Sequence, residues 1–104
     1  DSAAATRVEP LEETIDRLTE EIRLRHIQRL QDGACTIQLG FVLNDLLSNL
    51  ERISDHCSNI ALCVLESETG ISDAHAYLDT LKHDPGFLRD VQEDQKLYRL
   101  PSRD

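Results

Sequence analysis

The sequence contains no methionine, not even at position 1, and only two phenylalanines, two tyrosines, four glycines and three prolines. With no starting methionine and no signal-peptide pattern, it reads as a piece of a longer protein. The few glycines and prolines stand at isolated points, which leaves long uninterrupted segments and favours helices over strands. No run approaches the ~18 consecutive apolar residues that a membrane span needs, so no direct membrane insertion is expected. Three cysteines, an odd number without a repeating short spacing, make neither a disulfide framework nor a zinc knuckle. They suit a reducing, cytoplasmic compartment. Positive charge is also scarce: 11 Lys and Arg against 20 Asp and Glu leave a net charge of -9. That argues against nucleic acid and anionic lipid surfaces as partners. Cations fit the charge better, although acidic surfaces most often serve only solvation.

What is present is a 104-residue chain with 39% hydrophobic and 30% charged residues, the balance of one soluble globular domain. Residues 1–6 read as a disordered or appended start. From Val8 the spacing is helical, with Val8, Leu11, Ile15, Leu18 and Ile22 at intervals of three and four. Thr6 is the expected N-cap, Glu9, Glu12 and Glu13 complement the positive helix pole, and Pro10 is tolerable only in the first turn. Arg23, Arg25, His26 and Arg29 crowd the opposite pole; a phosphate grip is the competing reading of that cluster. Asp32-Gly33 marks a C-cap and turn.

A second helix is expected from Thr36 to about Glu66. Leu39, Leu43, Leu46, Leu50, Ile53, Cys57, Ile60 and Val64 hold an unbroken alternation of four and three, and Val42, Leu47, Ala61 and Leu65 widen the stripe. Cys57 lies on this seam and is expected to be a small buried hydrophobe. A stripe this wide calls for more than one neighbour. Beyond Gly70 the pattern weakens: Ser72 can cap a short helix over 73–82, His83-Asp84-Pro85-Gly86 reads as a turn, and Phe87, Leu88 and Val91 open a last amphipathic segment before Pro101.

Oxygen ligands run along the polar faces. Glu51, Asp55 and Asn59 recur at four-residue spacing, and Glu9, Glu13, Asp16 and Glu20 form a row on the first helix. A short turn at Gly33 makes the helices antiparallel, with residue i opposite about residue 67 minus i. That register sets Asp16 level with Glu51, Glu13 near Asp55 and Glu9 near Asn59. The rows are rotated in the same sense from their seams, so both are expected on one side of the pair. Carboxylates gathered there repel unless protonated or bound to cations, and oxygen donors suit Mg, Ca, Mn or iron better than a closed zinc site. His56 is turned by about 100° from Asp55 and can reach only the edge of the patch.

Glu51-Arg52-Ile53-Ser54-Asp55-His56-Cys57-Ser58-Asn59-Ile60 resembles the E-R-I-x-D-x-x-x-N-I signature of PhoU-like phosphate-regulatory proteins. Val8 to Ile15 resembles the preceding helix of the same repeat, and the Asp-His-Cys variant with its upstream Arg-His-Ile-Gln-Arg-Leu looks most like the cytoplasmic tail of bacterial sodium/phosphate cotransporters. The resemblance covers residues 7–66 well and 67–104 only in outline. It implies an all-α fold: an antiparallel helix pair over 7–66 and a C-terminal helical arm over 67–104, part of a helix bundle. It implies divalent or transition metal ions, iron or zinc, held by Glu9, Glu13, Glu51 and Asp55, with Asp16, Asn59 and His56 flanking.

The function implied is non-catalytic control of phosphate uptake, exerted on a membrane-embedded phosphate transporter of the same or a separate polypeptide. A free-standing regulator of phosphate import and a metal-free helical interaction module are the alternatives. A two-metal hydrolase is disfavoured, because no nucleophile, anion-binding glycine loop or cleft is evident. Only part of the family's two three-helix repeats is present. The bundle is therefore expected to be completed by the C-terminal arm or by a homodimer, with or without exchange of helices.

Overall fold

Two long helices, α2 (Val8–Gln31) and α3 (Ile37–Thr69), carry the fold in a computed structural model that describes residues 1–70 and 74–102. Their ends follow from local chemistry. Thr36 stands in extended backbone and its hydroxyl accepts the Leu39 N–H at 3.2 Å, which starts α3. Gly70 ends α3 at φ 74°, a left-handed conformation that costs a residue without Cβ little, and its N–H reaches the Glu66 carbonyl. Gly33, at φ 72°, makes the turn between the two helices. Gly40 serves a different purpose: a Cβ there would come within 2.4 Å of His26 Nε2, so its absence lets the imidazole lie against the α3 backbone.

Three shorter helices complete the chain: α1 (Ser2–Ala5), α4 (Ala74–Lys82) and α5 (Pro85–Leu97). Among the described residues there is no strand, as the all-α expectation required. The start of the chain differs from the sequence reading. Residues 2–5 form a helical turn capped by the Asp1 carboxylate, which accepts the Ala3 N–H, and Ala5 is buried against α3. Thr6 caps no helix start; it closes α1, its hydroxyl donating to the Ala3 carbonyl at 2.8 Å. The Ser72 cap lies outside the described residues. Pro85 and Gly86 belong to the first turn of α5 rather than to a loop, because Asp84 caps that helix and proline is pre-shaped for its first position.

α2 packs between α3 and α5, and α1 packs on α3. Arg25 fastens the C-terminal segment by donating to the Pro101 carbonyl at 2.7 Å. The hairpin is antiparallel: Glu9 at the start of α2 meets Ser58 in the second half of α3, and Arg23 meets Glu51 earlier in it. The Glu9–Ser58 contact falls on the axial register read from the turn.

The rotation of α3 about its axis does not follow the sequence reading. The buried residues are Leu47, Ser54, Ser58, Ala61, Leu62 and Leu65. Most lie one residue after the expected seam, a turn of ~100°. Leu39, Leu46, Leu50, Ile53 and Ile60 stand 47–64% exposed. Cys57, expected in the core, is exposed as well. The physical reason is size. Serine and alanine at 54, 58 and 61 let α2 approach closely, whereas the leucine and isoleucine seam is too broad to be covered by one helix.

The seam of α2 shares this half-open state: Leu11, Ile15, Leu18 and Ile22 are half-buried, while Pro10, Thr14 and Thr19 are buried. The two threonines cost little inside. Each hydroxyl donates to the carbonyl four residues back, Pro10 and Ile15 respectively, at 2.8 Å.

Candidate metal centre

Four carboxylates share one face of α2. Glu9, Glu12, Glu13 and Asp16 are separated by three or four residues, the spacing that makes helix neighbours. Oxygens of Glu12, Glu13 and Asp16 lie within 4.8 Å of one another, the one such group of potential metal ligands among the described residues. Glu12 reports the crowding. Burial raises its carboxyl from 4.5 to about 7, helped by a hydrogen bond with Asp16 and by the charges of Asp16, Glu9 and Glu13. Glu12 therefore gives up its proton at a higher pH than an ordinary glutamate. A cation could displace that proton, and an all-oxygen donor set fits a hard divalent ion.

The structure distributes the residues expected as ligands over several environments. Glu9 is only 3% exposed and accepts a hydrogen bond from the Ser58 hydroxyl. Glu13 lies in the cluster and also pairs with Arg17 at 3.2 Å. Glu51 Oε1 sits 2.7 Å from Arg23 Nη2, at ion-pair distance but without hydrogen-bond direction, so a buried oxygen keeps an undirected contact. Asp55, His56 and Asn59 are exposed. The side chains brought together are thus Glu12, Glu13 and Asp16, with Glu9 beside them; Glu51 and Asp55 stand apart from that group. The rotation of α3 explains the separation. It turns Ser54 and Ser58 inward and leaves Asp55 facing solvent.

By its position in the sequence, Glu12 reads only as a complement to the helix pole. The signal for it was available: Glu12 and Asp16 are four apart, next to Glu9 and Glu13. The basic cluster at the far end of α2 is largely engaged within the fold. Arg23 meets Glu51, and Arg25 meets Glu21 at 3.0 Å as well as the Pro101 carbonyl. His26 Nδ1 lies 3.5 Å from Cys35 Sγ at the turn.

The family model described as PhoU domain matches residues 1–64, which contain α1, α2, most of α3 and every residue of the carboxylate rows. The phosphate-specific transport system accessory protein PhoU homolog 1 of Thermotoga maritima is 30% identical over 66 residues, 64% of this chain and 28% of that protein. The chain thus spans less than a third of the relative's length. No solved structure matches it.

Proposed function

Because this chain belongs to the PhoU domain family, with the family match covering α2 and most of α3, we propose that it is a non-catalytic regulatory module of a phosphate-transport system. It acts by helix contacts on a membrane-embedded transporter. The finer reading attaches it to a bacterial sodium/phosphate cotransporter as a cytoplasmic domain at the inner membrane. The Asp-His-Cys form of the signature at 55–57 supports that reading. No helix among the described residues is long and apolar enough to cross a membrane, so membrane-spanning segments would have to come from elsewhere. Transmembrane helices encoded upstream of Asp1 would support the attached form; a reading frame without them would favour the free-standing regulator.

The module binds a divalent or transition metal ion through the carboxylates of α2. The observation that carries this reading is the convergence of Glu12, Glu13 and Asp16, where burial and crowding raise the Glu12 pKa. Glu9, Glu51 and Asp55 join Glu13 in the set that the family resemblance points to, with Asn59 and His56 at the edge. Recruiting Glu51 requires Arg23 to release it. The test is elemental analysis of protein purified without chelator, beside Glu13→Gln/Asp16→Asn and Glu51→Gln/Asp55→Asn variants. Loss of metal in the first variant alone places the ion on α2, and loss in both places it between the helices. Equal metal content in all three proteins refutes the site and leaves a metal-free helical interaction module. The working unit is a homodimer, supported by the broad apolar surface of α3.

A further inference from the structure

We infer that the exposed seam of α3 is a two-fold interface at which a second copy of this chain packs antiparallel, α3 against α3. This deepens the homodimer reading and does not depend on metal. The seam runs from Leu39 to Val64 with intervals of four, three, four, three, four, three and four, the same read from either end. A two-fold axis between Glu51 and Arg52 therefore sets Leu50 of one copy opposite Ile53 of the other. It also sets Leu46 opposite Cys57, Leu43 opposite Ile60 and Leu39 opposite Val64, the last of these partly covered by Ala5, Ala61 and Leu65 of its own chain. A closed symmetric dimer demands such self-complementarity, because the same patch serves on both sides.

Charge points to the same occupant. A chain of net charge -9 repels its own copy over most of its surface. The α3 seam contains no charged residue. The strip flanking it on the side away from α2, at Val42, Asn49, His56 and Cys63, holds no acid. Two copies can thus meet along this strip without opposing carboxylates. On the other flank the seam opens into a mostly apolar groove of about 510 Å³ between α2 and α3, lined by residues such as Ile15, Leu18, Leu50 and Ile53, with Glu12 as its one ionisable carboxyl.

Size is adequate. Residues 39–64 span ~38 Å of helix, and a strip ~10 Å wide gives roughly 400 Å² on α3 alone. The α2 wall of the groove, from Val8 to Ile22, adds roughly 200 Å², for a total of ~1,200 Å² over both partners, the lower end of specific interfaces. Each α3 then lies in the groove of the other hairpin, and two half-open hairpins close into one four-helix core.

The test uses the 104-residue chain. Sedimentation at tens of micromolar should show a dimer. Leu50→Glu should weaken it about a hundredfold or more, because a carboxylate would be buried beside its own symmetry mate. Leu50 is 47% exposed within one hairpin, so the helices should survive, as circular dichroism would show. In a Cys35→Ser/Cys63→Ser background, Leu46→Cys should form an oxidised dimer joined between position 46 and Cys57 of the other copy. Adding Cys57→Ser should abolish it, since two copies of position 46 would lie ~16 Å apart along the axis, beyond disulfide reach. A dimer that resists Leu50→Glu and lacks the 46–57 link would overturn this interface while leaving the homodimer standing. A monomer at all concentrations would overturn both, leaving the groove to a helix of another protein or of a longer chain.

Discussion

Replacing Glu12 with glutamine tests whether the carboxylate cluster is held under strain. Glu12 binds its proton more tightly in the folded chain, about 7 against 4.5 when unfolded. Folding therefore takes up a proton between those values, and stability falls as pH rises through that window. Protonated Glu12 contributes fully below about pH 4.5, and the contribution is lost as pH climbs past about 7. The rise corresponds to at most about 3.4 kcal/mol at about 1.4 kcal/mol for each tenfold change in proton affinity. Glu12 is only partly buried, and solvent screening reduces that to ~1–2 kcal/mol. Glutamine has the same shape, keeps a donor for Asp16 and never ionises. The expectation is that Glu12→Gln matches the natural chain near pH 4.5 and exceeds it by ~1–2 kcal/mol near pH 8, or roughly 4–8 °C per kcal/mol in a domain this small. Urea unfolding across that pH range, with chelator present, measures it. Parallel stability curves for the two proteins, or a less stable glutamine variant near pH 8, would refute the reasoning.

Other perturbations read other parts of the fold. Ser58→Ala removes the hydroxyl that donates to the buried Glu9 carboxylate, and denaturant unfolding should show a loss of ~1.5–3 kcal/mol. In the Glu9→Gln background the same substitution should cost clearly less, because no ion is left without its donor. Thr36→Ala and Asp84→Ala each delete a side-chain cap, of α3 and α5 respectively, and should each cost ~1 kcal/mol in thermal unfolding. If Glu12, Glu13 and Asp16 hold a cation, its affinity in a manganese titration should weaken as pH falls below about 7. The sign follows because the cation competes with the Glu12 proton. An affinity flat from pH 8 down to 5 would place the ligands elsewhere.

Two helices joined at Gly33, the start of α3 at Thr36 and the antiparallel register that brings Glu9 to Ser58 were legible in the sequence; the end of α3, expected near Glu66, falls at Gly70. Each depends on local chemistry: a periodic stripe, a capping oxygen, a glycine that tolerates positive φ, and a constant rise per residue. The family signature at 51–60 was legible for the same reason, since it lies within one helix. Which strip of α3 faces inward was decided only by tertiary packing. Periodicity gives the spacing of a face, not which of two adjacent faces meets the neighbour. Here the small residues Ser54, Ser58 and Ala61 took the close contact, and the larger Leu50, Ile53 and Ile60 were left outside. That ~100° turn leaves Asp55 facing solvent and Glu51 with Arg23, whereas the acidic cluster of Glu12, Glu13 and Asp16 follows from helical spacing along α2 alone. The same turn leaves a long uncharged seam uncovered along α3.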